Sequence, residues 1–179
     1  MRLCALLVSA LLVAPVLAGC GGKKNSEQES ATSWATGLCQ AFDNWQSSVK
    51  SATSQLSSGQ VSKSSLQTAA GSISDANKKL ADDLDSLGKP PTPQAKQIQA
   101  ALKELSTSLR DSADKIKSAA SSVSSTNDVL TAVSTIGSTL TTMGSDLSTA
   151  SQKLQGLGNQ DTWKKAFSQS QECQKLAKG

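Results

Sequence analysis

Apolar residues recur along the chain at steps of three and four, and polar residues, mostly serine and threonine, fill the positions between them. This spacing keeps the apolar side chains on one face of a helix with 3.6 residues per turn. Four such runs predict four amphipathic helices, each about 40 Å long. The runs extend from Trp34 to Leu56, from Leu66 to Leu87, from Ile98 to Val123 and from Val129 to Leu157.

Helix-breaking and helix-capping residues separate these runs. Ser62 is placed to cap the second helix, and Gly88 suits the left-handed conformation that ends it. Lys89-Pro90-Pro91 cannot continue a helix, whereas Thr92-Pro93 is typical of a helix start. Asp128 favours the start of the fourth helix, because a carboxylate stabilises the positive end of the helix dipole. A short fifth helix follows from Trp163 to Leu176.

The pattern predicts an all-α fold, an antiparallel up-down-up-down four-helix bundle with a short fifth C-terminal helix. A long coiled-coil hairpin that dimerises is the alternative, because it uses the same repeats. Asn77 interrupts the second stripe with a polar residue. Gly137 and Gly144 lie inside the fourth, where each costs about 1 kcal/mol relative to alanine, so they mark either close helix contacts or weak points.

The first twenty residues differ from the rest. Arg2 precedes an apolar run from Leu3 to Ala18, which has the length of a secretory signal and is short for a membrane span. The run ends in Leu17-Ala18-Gly19-Cys20, which resembles the lipobox of bacterial lipoproteins. In that family a diacylglyceryl group is joined to the cysteine thiol and the peptide is cut just before it. An ordinary signal peptide with a chance cysteine is the alternative.

The resemblance implies that Cys20 carries a covalent lipid and holds the protein on the extracytoplasmic face of a bacterial cell membrane, with membrane lipid as a partner. No other cofactor is expected. Residues 1–19 would be the cleaved signal peptide. Residues 20–32 contain few apolar side chains to bury and are predicted to form a flexible tether, followed by the helical bundle at 33–179.

The remaining cysteines favour a disulfide. Cys4 leaves with the signal, so Cys39 and Cys173 are an even pair in an exported protein. In the predicted bundle the fourth helix ends beside the start of the first, which brings both cysteines to one end. We expect the large aromatic residues of this end to pack around the disulfide rather than to form a ligand cage; they are Trp34, Trp45, Trp163 and Phe167.

The composition removes several classes of function. A net charge of +4 is too small and too evenly spread to argue for nucleic acid binding. The chain has no histidine, the commonest base for a nucleophile. Asp82, Asp83 and Asp85 lie together but lack the spacing and glycine of a calcium loop, and a solvated helix face is their expected role. We therefore expect no catalytic or metal site.

A cluster of lysines is expected near the anchored end. It would face anionic lipid headgroups, to which each lysine adds up to about 1 kcal/mol. Glu27, Glu29, Asp161 and Glu172 are close in sequence, so ordinary surface lysines are the alternative. The members of this possible membrane-facing basic patch are Lys23, Lys24, Lys164, Lys165, Lys175 and Lys178.

Taken whole, the chain is similar to small helical lipoproteins of high-GC Gram-positive bacteria, through the lipobox, Cys39 between Trp34 and Trp45, and the late Cys173. We expect a non-enzymatic binding or structural domain of the cell envelope, favoured as a monomer, whose partner is an unknown envelope protein or polymer. A small-ligand carrier or sensor with a cleft between helices is the alternative, and a minimal enzyme using carboxylates or Ser/Lys is a third. A tryptophan-lined pocket would favour the carrier, and a continuous apolar surface patch the binding domain.

Overall fold

The computed structural model describes residues 22–57, 61–157 and 160–176, and the predicted signal peptide and Cys20 lie outside these ranges. Within them the chain is all-α, as predicted, and contains six helices and no strand. The helices are α1 (Gly22–Ser57), α2 (Lys63–Ser86), α3 (Ala95–Ser121), α4 (Thr126–Leu157), α5 (Gln160–Gln169) and α6 (Gln171–Leu176).

Helix α1 begins earlier than the sequence predicts. Residues 22–32, which we expected to belong to a flexible tether, are helical. Ala31 and Ala35 are almost completely buried, in one cluster with Ala166 of α5. The side-chain amide of Gln28 also donates a hydrogen bond to the backbone oxygen of Thr162, at 3.5 Å. Tertiary contacts of this kind stabilise a helix whose own sequence is too polar to predict it.

The predicted ends of α2 are confirmed. The hydroxyl of Ser62 accepts a hydrogen bond from the backbone N–H of Ser65, and the hydroxyl of Ser65 accepts one from the N–H of Ser62. This reciprocal capping box satisfies two N–H groups at the start of the helix. Gly88, just after the C-terminal end, has φ +68°, which is the left-handed conformation predicted for it.

The starts of α3 and α4 are displaced slightly from their predicted positions. Helix α3 begins at Ala95, because Thr92 and Pro93 form a turn before it. Helix α4 begins at Thr126, with Asp128 in its first turn. One carboxylate oxygen of Asp128 accepts hydrogen bonds from the backbone N–H groups of Ser124 and Ser125, at 2.9 and 2.7 Å.

Consecutive long helices pack against each other, α1 on α2, α2 on α3 and α3 on α4. A single apolar core joins all four and also includes Trp163 of α5. Helices α5 and α6 pack against α1. In the described residues no Cα atom of α1 lies within 8 Å of a Cα atom of α4. Helices α5 and α6, rather than α4, are therefore the later helices that contact α1 in the described residues.

Ion pairs on the surface connect α2 to α3. The guanidinium of Arg110 contacts the carboxylates of Asp82 and Asp85, each at 2.8 Å, and Lys78 contacts Asp114 at 3.3 Å. Inside, the hydroxyl of Ser106 donates to the backbone oxygen of Ala81 at 3.4 Å. Exposed ion pairs of this kind stabilise weakly, so the α2–α3 contact depends mainly on its apolar core.

Alanine substitutions at two glycines test the backbone conformation at each position. A Cβ added at Gly144 would meet no atom within 4 Å, so we expect Gly144→Ala to raise the free energy of unfolding by about 0.5 to 1 kcal/mol. Gly88→Ala should lower it by about 1 kcal/mol, since an alanine is strained at positive φ. Urea denaturation of both variants measures the two changes. A loss of stability in Gly144→Ala would contradict the open environment of that residue.

The Asp128 carboxylate predicts a dependence of stability on pH. Hydrogen bonds from the hydroxyl and N–H of Ser124, and then from Ser125, lower the pKa of Asp128 from 3.8 to about 2. Since the folded pKa is depressed, its contribution is complete above pH 4 and is lost as the pH falls towards 2. We expect Asp128→Asn to be less stable than the wild type at neutral pH, with a difference that shrinks through this window. A difference that is constant with pH in denaturant titrations would contradict this role.

Candidate functional site

Cys39 and Cys173 form a disulfide that joins α1 to α6. Their Sγ atoms are 2.03 Å apart and their Cα atoms 5.0 Å apart, across 134 residues of sequence. The pairing agrees with the prediction. Both cysteines are buried with Ala31, Ala35 and Ala166, so small side chains surround the bond and allow α5 and α6 to approach α1 closely. This arrangement is structural, since the two sulfurs are bonded to each other and enclosed.

Three aromatic residues pack next to this disulfide. The rings of Trp34 and Trp163 meet edge to face with centroids 5.3 Å apart, and Phe167 lies 5.8 Å from Trp163. Phe167 contacts both the main core and the cluster around the disulfide. The predicted packing cluster is thus present, and its rings are closed on one another. The indole Nε1 of Trp34 is buried without a hydrogen-bond partner among the described residues.

Trp45 does not join this cluster, contrary to the sequence prediction. Its indole N–H donates to the Oδ1 of Asn77 at 2.8 Å. The amide nitrogen of Asn77 lies 3.3 Å from the Sδ of Met143 in α4. Asn77 is fully buried, so this amide connects α1, α2 and α4 inside the core. A buried amide held by side chains from two other helices helps to fix their relative positions.

The predicted basic patch is only partly within the described side chains. Lys164 and Lys165 are exposed on α5, on the side opposite the buried Trp163 and Ala166. Lys175 is exposed on α6 and contacts Glu172 at 2.9 Å, and this hydrogen bond raises the pKa of Lys175. The side chains of Lys23 and Lys24 in α1, and the whole of Lys178, lie outside the described part. The patch therefore stays a prediction.

The acidic residues at the end of α2 bind basic side chains. Arg110 contacts Asp82 and Asp85, and these hydrogen bonds raise the pKa of Arg110. Lys79 contacts Asp83 at 2.9 Å. Across the described ranges no three histidine, cysteine or acidic side chains are grouped in a way that could hold a metal ion.

Two surface grooves are broad and open to solvent. One, of about 580 Å³, lies along α3 and is lined by charged and polar residues that include Lys103, Glu104, Asp111 and Lys115. The other, of about 540 Å³, lies between the start of α1 and the α2–α3 connection. Trp34 borders this second groove but is only 7% exposed, so it contributes little surface to a ligand. Neither groove is the tryptophan-lined pocket that would favour a carrier.

Helix α4 carries two apolar faces, which the sequence pattern did not separate. Its inner face is buried in the core and consists of Ala132, Ile136, Met143 and Ala150. Beside it lies a second line of residues, which we call the outer seam. The outer seam alternates steps of three and four and comprises Leu130, Val133, Gly137, Leu140, Gly144, Leu147, Ser151 and Leu154.

The outer seam is unusually accessible for an apolar surface. Leu130 is 68% exposed and Val133 39% exposed, and they are two of three large apolar residues exposed in the described chain. Leu140, Leu147 and Leu154 are half-buried and pack against the main core. A Cβ built on Gly137 or Gly144 would meet no atom within 4 Å. The structure therefore leaves a partly apolar helix face with no neighbouring helix against its glycines.

This face is also free of charge. The sequence has no lysine, arginine, aspartate or glutamate between Asp128 and Asp146. The charged residues of α4 that have described partners contact α3 instead. Lys153 contacts Glu104 of α3 at 2.6 Å, and Asp146 accepts a hydrogen bond from Ser108. Apart from Leu130 and Val133, serine, threonine and glycine fill the exposed positions of the charge-free stretch.

Comparisons of the chain with protein-family models, with curated proteins and with solved structures return no match. Among the described helices, none combines the length and the apolar character needed to cross a bilayer. The outer seam of α4 is consequently identified from its own geometry and composition.

The disulfide predicts a stability difference that can be measured directly. We expect the double variant Cys39→Ser/Cys173→Ser to lose about 2 to 5 kcal/mol of unfolding free energy relative to the oxidised protein, because the bond closes a long loop. Guanidinium denaturation with and without reductant measures this loss. Reductant should destabilise the wild type and leave the variant unchanged. Equal stability of the oxidised wild type and the variant would show that packing alone holds α6 on α1.

Proposed function

We propose that this protein is a non-enzymatic docking domain of the bacterial cell envelope, anchored in the cell membrane through a lipid on Cys20. The domain presents the outer seam of α4 to another envelope component. The observation that carries the proposal is the accessible part of the seam, where Leu130 and Val133 are exposed, Gly137 and Gly144 have no neighbour, and the sequence has no charged residue between Asp128 and Asp146.

The cost of the two glycines to helix stability favours a docking role for this face, because no contact within the described chain offsets it. Gly137 and Gly144 each weaken the helix by about 1 kcal/mol relative to alanine, and the described structure gives neither a neighbour. Glycine next to leucine on a helix surface lets a second helix approach closely and contact the leucine side chains. Amphipathic helices commonly bind to such apolar faces through residues at three- and four-residue spacing.

The overall architecture that fits this function is an up-down-up-down four-helix bundle. In this bundle α1 and α4 are not in contact in the described residues. The α5–α6 segment packs only against the part of α1 nearest the anchor. Opposite ends of neighbouring helices are in contact, as for Gln67 of α2 with Ala120 of α3, at 3.3 Å, and Lys153 of α4 with Glu104 of α3. These contacts support antiparallel neighbours. The free side of α4 then faces away from α3.

The other two functions have weaker support. A small-ligand carrier needs a concave, largely apolar cavity, and the grooves described above are open and bordered by charged residues. An enzyme using a serine and lysine or two carboxylates needs them buried together in a cleft. The described carboxylates Asp82, Asp83 and Asp85 are instead bound to Arg110 and Lys79 at the surface.

Two neighbouring substitutions on α4 test the proposal. Gly144 and Ser145 are both exposed, but only Gly144 belongs to the outer seam. We expect Gly144→Glu to reduce crosslinking of the membrane-bound protein to its envelope partner by about tenfold or more, because a carboxylate would be buried in the contact. Ser145→Glu adds the same charge outside the seam and should leave crosslinking unchanged.

Mass spectrometry of crosslinked membrane complexes identifies the partner, and Cys20→Ala serves as the control for anchoring. Equal crosslinking of Gly144→Glu, Ser145→Glu and the wild type would overturn the role of the seam. Circular dichroism of each variant separates a lost contact from a lost fold. A wild-type mature protein that is soluble and lacks lipid would overturn the anchoring.

A further inference from the structure

We infer that the bundle stands upright on anionic lipid headgroups, with lysines on two opposite sides of the start of α1 facing the membrane surface. The inference rests on the proposed function, because it takes Cys20 as the membrane anchor. It adds a second contact with the membrane, made by the protein surface, and the orientation in which the domain is held. It does not depend on what docks on the outer seam.

Helix α1 places the lower part of the bundle close to the bilayer. Only Gly21 separates Cys20 from the start of α1 at Gly22. At 1.5 Å per residue, Gln28 lies about 9 Å and Trp34 about 18 Å along the helix from its start. The headgroup region is about 5 to 7 Å deep on each side of the hydrocarbon core. With α1 upright, the part of the domain level with Gln28 to Trp34 lies just above the headgroups, and we call it the base.

Two other segments reach the base, on opposite faces of α1. Helix α5 lies across it, because the amide of Gln28 donates to the backbone oxygen of Thr162 at 3.5 Å and to the Oε1 of Gln169 at 3.4 Å. The end of α2 is also close, since a Cβ built on Gly37 would lie 2.9 Å from Leu87. Gln28 and Gly37 are two and a half turns apart and so face opposite directions. Helix α5 and the α2–α3 connection therefore flank α1 on two sides.

Both flanking segments carry exposed lysines. Lys164 and Lys165 are exposed on α5. On the other side Lys89 is exposed in the α2–α3 connection, and Lys96 is exposed in the first turn of α3. None of these four forms an ion pair within the described residues. Lys175 of the predicted basic patch, in contrast, is already paired on α6.

The net charge of the mature chain is concentrated in the base. Cleavage of the predicted signal removes one arginine and lowers the net charge from +4 to +3. The base contains the four lysines above and also Lys23 and Lys24, which are in the first turn of α1. Its acidic residues are Glu27, Glu29 and Asp161. The base therefore carries the whole charge of +3, and the rest of the mature chain is neutral. This distribution is complementary to an anionic bilayer surface.

Lysines on two sides of α1 favour an upright helix. An anionic surface attracts a lysine over about one Debye length, which is about 8 Å at physiological salt. A tilt towards one side brings one group of lysines to the headgroups and raises the other group beyond this range, whereas the upright position keeps both within it. Helix α3 leads away from the base and α4 begins where α3 ends, so Leu130 and Val133 are then held away from the bilayer.

Energy transfer from the full-length, lipid-anchored protein to acceptor lipids tests this orientation. Gln97→Cys and Ser118→Cys place a donor fluorophore at two exposed positions of α3, about 32 Å apart along the helix. The bonded Cys39–Cys173 pair does not react with the label. In phosphatidylcholine vesicles with about 30% phosphatidylglycerol, we expect at least about threefold more transfer from position 97 than from position 118. The ratio should fall by about half or more in phosphatidylcholine alone, or in about 0.5 M salt.

Charge reversal on each side of α1 tests the lysines themselves. Lys164→Glu/Lys165→Glu and Lys89→Glu should each lower the transfer ratio in the anionic vesicles, because the attraction on one side is lost. The control is Lys115→Glu/Lys117→Glu, which reverses two exposed lysines near the other end of α3 and should leave the ratio unchanged. Circular dichroism of each variant checks the fold, and the comparison of lipids and salt needs no variant of these lysines.

Three results would overturn the inference. They are an equal ratio in anionic and neutral vesicles, a ratio that neither base variant changes, and an equal loss in the control. If the wild type floats with the vesicles but its ratio is independent of lipid charge, the upright contact is wrong and the anchoring stands. If the wild type lacks lipid on Cys20 and does not float, the anchoring and the inference both fail.

Discussion

The attachment of α5 and α6 to α1 is the constraint on which the rest of the structure depends. The Cys39–Cys173 bond, with Ala31, Ala35 and Ala166 around it, holds the C-terminal segment against the first half of α1. Small side chains are needed there, because α5 must come close enough for Trp163 to meet Trp34. Among the described residues α5 and α6 pack on α1, whereas α4 packs mainly on α3 and has no Cα atom within 8 Å of one in α1.

A second constraint acts inside the core, where the amide of Asn77 contacts Trp45 of α1 and Met143 of α4. Apolar side chains alone would allow α4 to rotate about its axis with little change in buried area. A buried amide loses its hydrogen bond when its partners move, and that loss costs about 1 to 3 kcal/mol. Asn77 contacts Met143 on the buried side of α4, and Leu130 and Val133 are exposed on the same helix.

The apolar periodicity was sufficient to predict α2, the core of α3 and the all-α class, and the caps at Ser62 and Gly88 were readable from single residues. The start of α1 was not, because Ala31 and Ala35 give little hydrophobic signal and become informative only when α5 lies against them. The seam was missed for a different reason. Counting one apolar stripe on α4 merged Ile136 and Met143, which are buried, with Val133, which is exposed.

Helices α3 and α4 differ in the residues on their exposed sides. Both helices are long and regularly apolar, but α3 has charges along its exposed side, such as Lys103, Glu104 and Asp111, as expected for a helix that faces water. The exposed side of α4 has serine, threonine, glycine and large apolar residues in place of those charges. Within one chain this composition lowers helix stability and solubility. Both costs would be offset if a second helix covered this face, which is why the proposed docking role rests on α4 and not on α3.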